Sequence, residues 1–131
     1  MKTPMKRKRS AISAGVLASL ISASAMANFT CEGKISYLAL NPDGSVNVSV
    51  GFGTWGICNL STTSVGNGNV TYTPEACRGW FASMLASQKA GHSLRFYFVS
   101  SANTNNGPEC TAIGHWVWPN PAAYHMAILN E

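Results

Sequence analysis

Charged residues are scarce in this chain of 131: nine Lys and Arg, five Asp and Glu, 11% of the whole. Their placement is uneven. Lys2, Lys6, Arg7, Lys8 and Arg9 crowd the first nine positions, which leaves Lys34, Arg78, Lys89 and Arg95 against Glu32, Asp43, Glu75, Glu109 and Glu131 in the remainder. Phosphate recognition needs several clustered cations, so four scattered ones exclude nucleic acid as an expected partner, and the overall charge of +4 belongs to the amino terminus. Other absences are as informative. No C-x-x-C pair and no His at ligand spacing from a Cys argue against a metal site. No G-x-S-x-G elbow and no Gly-rich phosphate loop occur, so no cofactor is expected either.

Beyond residue 27 there is also no second apolar run of the ~20 residues a membrane helix requires. The first 27 read as a cleaved export signal. A basic start is followed by the small-residue apolar stretch Ala11 to Met26, and Ala25-Met26-Ala27 forms an A-x-A cleavage site. Asn28-Phe29-Thr30 before Cys31 lacks the small and aliphatic residues of a lipobox, so no lipid anchor is expected. Cleavage after Ala27 predicts a single exported domain, residues 28–131, with a formal charge of −1, periplasmic or secreted. The N-x-S/T sequons at Asn28, Asn47, Asn59 and Asn69 read as chance in an Asn-, Ser- and Thr-rich chain.

All four cysteines, Cys31, Cys58, Cys77 and Cys110, lie in this exported part, and an even count there predicts two disulfides out of three possible pairings. Strand signals come first. Lys34 to Leu40, the turn Asn41-Pro42-Asp43-Gly44 and the alternating Ser45 to Phe52 form a hairpin, with Val46, Val48 and Val50 inward. A Gly-rich bend containing Trp55 leads into a third strand at Ile57 to Leu60, and Ser61 to Asn69 reads as a polar loop. One helix follows, with Thr73 as N-cap, Pro74 and Glu75 in the first turn, and Gly91 as its stop. Its apolar stripe is Ala76, Cys77, Trp80, Phe81, Met84 and Leu85. Ser93 to Ser100 is a strand with Leu94, Phe96 and Phe98 on one face. Thr111 to Trp118 is either strand or helical turn, and Tyr124 to Asn130 is a last strand with Tyr124, Met126 and Ile128 on one face.

The predicted fold class is therefore mainly β with one helix, in the order β-β-β-α-β-β. That is the layout of a five-stranded OB-like barrel with the helix plugging one end; an open α+β sheet covered by a helix is the other solution. In either, Cys58 and Cys77 flank the same crossover, and Cys31 and Cys110 are expected to pair across neighbouring strands.

This order, with the stretch Ile57-Cys58, Ala76-Cys77, Trp80-Phe81, Leu85 and Gly91-His92-Ser93-Leu94-Arg95-Phe96, resembles the OB-fold cell-binding subunits of AB-type bacterial toxins, the pertussis and subtilase cytotoxin class. It is also similar to small exported proteobacterial proteins of Cys-rich, Trp-containing layout. The toxin resemblance implies glycan binding by a ring of subunits; no sugar-contacting residue carries over.

Catalysis has little to build on. His92, His115 and His125 lack a recognisable nucleophile partner, and His115 beside Trp116 reads more simply as a hydrogen-bonded loop imidazole than as a base. Asp43 sits in a turn, Glu75 at a helix start and Glu131 at the terminus, so a carboxylate pair is not expected. The aromatics suggest binding instead. Trp55, Trp116 and Trp118 beside His115, together with Tyr97 and Arg95 on an outward strand face, are the candidate ligand contacts, because exposed indole faces stack on sugar rings. The expectation is a non-enzymatic exported module recognising a glycan or an exported protein, with a homo-oligomer as its toxin-like form. The alternatives are a monomeric periplasmic accessory or inhibitor protein, and a small hydrolase using His115.

Overall fold

The computed structural model describes residues 28–66 and 70–130. The expected export signal, Asn69 of the sequon and Glu131 lie outside them. The chain runs β1 (Asn28–Lys34), β2 (Tyr37–Leu40), β3 (Ser45–Ser49), β4 (Thr54–Asn59), β5 (Ser64–Gly66), β6 (Val70–Tyr72), α1 (Pro74–Ala90), β7 (Ser93–Val99), α2 (Pro108–Ala112) and β8 (Ala123–Leu129). The result is a mainly β protein with two helices and two disulfides, where one helix was expected.

The strands form three open sheets, β1-β7-β8, β2-β3-β4 and the hairpin β5-β6, all antiparallel. This corrects the closed five-stranded barrel. The single first strand expected at Lys34 to Leu40 is two strands joined by Ile35-Ser36: β1 pairs with β7, and β2 with β3. Going from sheet to sheet across that joint gives the series β8-β7-β1, β2-β3-β4. A barrel would need β8 hydrogen-bonded to β4, and no such pairing exists among the described residues. The β5-β6 hairpin and the segment leading into β8 stand at that gap.

The core lies between the two larger sheets and α1. Val46, Val48, Leu94, Phe96 and Phe98 are fully buried, as alternation required. Strand β3 is covered on both faces, since Ser45 and Ser49 are buried too. Thr73 accepts the Ala76 amide through its hydroxyl (3.2 Å), Pro74 opens the helix, and Gly91 closes it at φ 72°. The buried face of α1 is narrower than the stripe predicted: Cys77, Met84 and Ser87 are inside, Trp80 and Phe81 pack partly, and Ala76 and Leu85 are exposed. On β8 the predicted apolar face is mostly wet, because this is an edge strand; Tyr124 and Ile128 are exposed and Met126 alone packs on the core.

Residues 100–122 bind the two larger sheets together. Cys110 is bridged to Cys31 and Cys58 to Cys77, with Cα separations of 5.7 and 5.6 Å. Thr30 donates its amide to the Thr104 carbonyl (2.9 Å), and its carbonyl accepts from the Asn106 amide (2.8 Å), so this segment covers the free edge of β1. Further along, the Trp116 amide donates to the Thr54 carbonyl (2.7 Å) and the Gly56 amide to the Val117 carbonyl (2.9 Å), a short parallel pairing on the free edge of β4. Thr111 to Trp118, undecided from sequence, is thus both: the end of α2, then a strand-like strip. No helix among the described residues is long and apolar enough to cross a membrane.

Candidate functional site

The candidate contacts separate into three places. Trp55 is in the centre of the core, with no exposed surface, edge-on to Phe96 and Phe98, and its indole N–H donates to the Gly114 carbonyl (3.1 Å). The Gly-rich bend expected to present it ends at Gly53, and pairing with β3 carries Trp55 inward on β4. It therefore leaves the set of ligand contacts. Gly53 is required at this junction: a Cβ there would lie 2.2 Å from the Gly114 carbonyl oxygen.

Tyr97 stands on the outer face of β7, half-buried, against Tyr124 and His125 (ring centroids 6.2 and 5.1 Å apart). Beside it Arg95 donates from Nε to Glu32 Oε2 (2.6 Å). The Tyr97 hydroxyl, and after it Glu32, raise the pKa of the guanidinium above its ordinary value. With Arg95 so committed, this face reads as a cross-strand polar ladder that ties β1 to β7.

Trp116 and Trp118 behave differently. They are 67% and 52% exposed, the largest aromatic surfaces on the described molecule. Their backbone is nevertheless fixed by the pairing to β4. Trp116 has φ 57°, a left-handed conformation costly for a bulky residue, and its ring meets the exposed Tyr37 ring edge-on at 5.6 Å. The Trp118 indole lies over Gly56, where a Cβ would come within 2.8 Å of the ring. His115, between Gly114 and Trp116, is exposed and makes no hydrogen bond, ion pair or ring contact with a described residue. The two indoles, with Tyr37 of β2 against Trp116, thus form one exposed aromatic strip beside β4, and His115 is exposed next to it in the chain.

Next to the strip, at the gap between β4 and β8, is a partly enclosed cleft of about 260 Å³. Gly56 and Ile57 of β4, Ser64 to Gly66 of β5, Tyr72, Trp118, Pro119, Ala122 and Ala123 line it. The Tyr72 hydroxyl donates to the Ala123 carbonyl, and burial pushes its pKa up to about 12. Ser64 Oγ is buried without a hydrogen-bond partner, an arrangement that costs about 1–3 kcal/mol where nothing satisfies it. Apart from Trp118, none of these residues was a candidate from sequence. They are small or apolar and spread over Gly56 to Ala123, so only the fold gathers them.

Among the described residues no three His, Cys, Asp or Glu side chains group so as to hold a metal ion. No protein-family model matches the chain, and neither curated proteins nor solved structures give a significant match.

Proposed function

We propose that this is an exported, non-enzymatic binding module that recognises its ligand through the strip of Tyr37, Trp116 and Trp118, with a sugar ring as the class to test first. Export rests on the signal-like amino terminus and on two disulfides, which persist in oxidising compartments. The observation that carries the binding role is Trp116: two-thirds exposed, yet held by a main-chain hydrogen bond to β4 in a conformation that disfavours so large a side chain. An indole fixed outward in this way gives up burial and gains a rigid stacking face, the arrangement that ring recognition uses. The β8-to-β4 series of strands, bent at Ile35-Ser36 and open at one seam, is compatible with an opened OB-like barrel, and a multivalent ring of subunits is the toxin-like form of the proposal.

Trp116→Ala tests it. The side chain is mostly outside the core, so the melting temperature should stay within a few degrees. Binding to the sugars that the native chain selects on a glycan array should fall at least about tenfold, read by titration. An unchanged glycan profile would remove the sugar version and leave the accessory or inhibitor protein; His115→Ala should change neither.

A further inference from the structure

We infer, given the reading of the strip as a sugar site, that Asn47 is its polar contact and that the sugar it takes is uncharged. Register fixes the place. Tyr37, Ser49 and Thr54 form one cross-strand row of the β2-β3-β4 sheet, and Ala39, Asn47 and Gly56 form the next. Both rows lie on the face turned away from the core, because Val46, Val48 and Trp55, which alternate with them, are fully buried. The Tyr37 and Trp116 backbones stand three strand spacings apart, about 14 Å, since Trp116 follows Thr54 across the sheet. Their rings nevertheless meet at 5.6 Å, so both lean over Ser49 and Thr54. In the second row the Trp118 indole lies over Gly56. Asn47 therefore has aromatic surface on two sides. The Tyr37–Trp116 pair is one step of about 7 Å along β3, and the Trp118 ring is on the neighbouring strand.

The chemistry of Asn47 suits that position. It is half-buried and makes no side-chain hydrogen bond with a described residue, so one carbonyl acceptor and two amide protons remain for a ligand. Of its neighbours on this face, Ser49 is buried and accepts the Gly51 amide (3.3 Å), and Ser45 donates to Asp43 (2.7 Å). The Trp116 and Trp118 indole N–H groups are also unbonded to described residues, but they only donate. A carboxamide between stacking rings matches the adjacent hydroxyls of a sugar, each both donor and acceptor. Charge then selects among sugars. No Lys or Arg occurs in residues 35–74 or 110–130, so the segments that build the strip offer a carboxylate or sulfate no such counter-ion. The basic groups there are two imidazoles, His115 beside Trp116 in the chain and His125 on β8. Lys34 ends β1 opposite Ser93 in the other sheet, and the formal charge in the β2-β3 turn, Asp43, is itself negative.

The test is an NMR titration of the disulfide-bonded protein from Asn28 on, at about pH 8, above the usual imidazole range. Methyl β-glucoside and methyl β-galactoside are the neutral probes, and methyl β-glucuronide is the anionic counterpart of the first. Expected are saturable shifts of the Asn47 side-chain amide and of the Trp116 and Trp118 indole N–H signals with at least one neutral glycoside. The glucuronide should bind at least about fivefold more weakly, for lack of a counter-charge. Asn47→Ala should weaken the neutral glycoside about fivefold and leave the melting temperature within a few degrees, since no bond to a described residue is lost. Among the monodeoxy forms of that glycoside, one should lose about fivefold against the native chain and nothing further against Asn47→Ala. Loss of binding in Trp116→Ala with native affinity in Asn47→Ala would overturn the role of Asn47 and leave the strip standing. A glucuronide bound as tightly as the glucoside would overturn the neutral class. No saturable shift at Asn47 with either neutral glycoside would overturn both, whereas the strip itself falls only with an unchanged glycan profile in Trp116→Ala.

Discussion

Asp43 and Tyr72 show how single side chains carry pH dependence here. The Asp43 carboxyl is held below the usual carboxylate range, first by the Ser45 hydroxyl (2.7 Å) and then by the Ser45 amide (2.9 Å), both donating to Oδ1. A carboxyl whose folded pKa is depressed adds stability that is complete above about pH 4 and lost as the pH falls through the folded value. Ser45→Ala should move the Asp43 titration upward, toward the usual range, as read from its carboxyl chemical shift. Tyr72 has the opposite sense. Its pKa is raised to about 12 by burial, so its contribution is complete below about pH 10 and disappears as the pH rises toward the folded value. Tyr72→Phe should remove the last phase of the phenolate absorbance titration. It should also cost about 1–3 kcal/mol by taking the donor from the Ala123 carbonyl. Neither tyrosine nor serine advertised this role in the sequence, whereas the turn function of Asp43 followed from Asn41-Pro42-Asp43-Gly44 directly.

Elements were legible in proportion to their length and punctuation. The helix α1 had a cap, a first-turn Pro and a terminal Gly, and it formed from Pro74 to Ala90 as read. The alternation of β3 and β7 likewise placed Val46, Val48, Leu94, Phe96 and Phe98 inside. The hairpin β5-β6 was hidden in a polar stretch because three-residue strands are too short to show a period. The first strand was placed too late because Phe29 and Cys31, its inward residues, sit beside the expected cleavage site and carried no longer pattern. The disulfides were accessible from element order, and their different spans give a prediction at this scale. Cys31–Cys110 closes 79 residues and Cys58–Cys77 closes 19. Chain entropy then assigns about 4.5 kcal/mol to the first and about 3 kcal/mol to the second. Replacing Cys31 and Cys110 together by Ser should lower the denaturation midpoint more than replacing Cys58 and Cys77. Hydrogen exchange should also rise at the Asn106 and Trp116 amides in the first pair of replacements, because that bridge anchors the 100–122 segment across both sheets.

On the scale of the whole molecule, the question is what becomes of the open sheet edges. Closure into a barrel would have removed them, and it was expected because five strands and one helix satisfy the barrel's order; the order alone does not show whether the last seam is hydrogen-bonded. The β5-β6 hairpin and the segment 116–122 stand at that seam instead, which is why the cleft could not be foreseen. Residues 104–106 cover the β1 edge and 116–118 the β4 edge. In the two larger sheets that leaves β2 and β8 as edges without a strand partner among the described residues. Strand β8 spans seven residues, Ala123–Leu129, without a charge or a proline to discourage pairing. Two different free edges on one molecule favour head-to-tail association, β8 of one copy against β2 of the next, and such contacts close into a ring when the rotation per subunit allows. A ring would also let the proposed strip bind multivalently, which raises avidity without a new contact. Light scattering after gel filtration of the protein from Asn28 on should therefore show one discrete oligomer. Ile128→Lys, which sets a charge on the β8 edge at an exposed position, should convert it to monomer without loss of fold. A native chain that is monomeric at every concentration would end the ring form of the proposal.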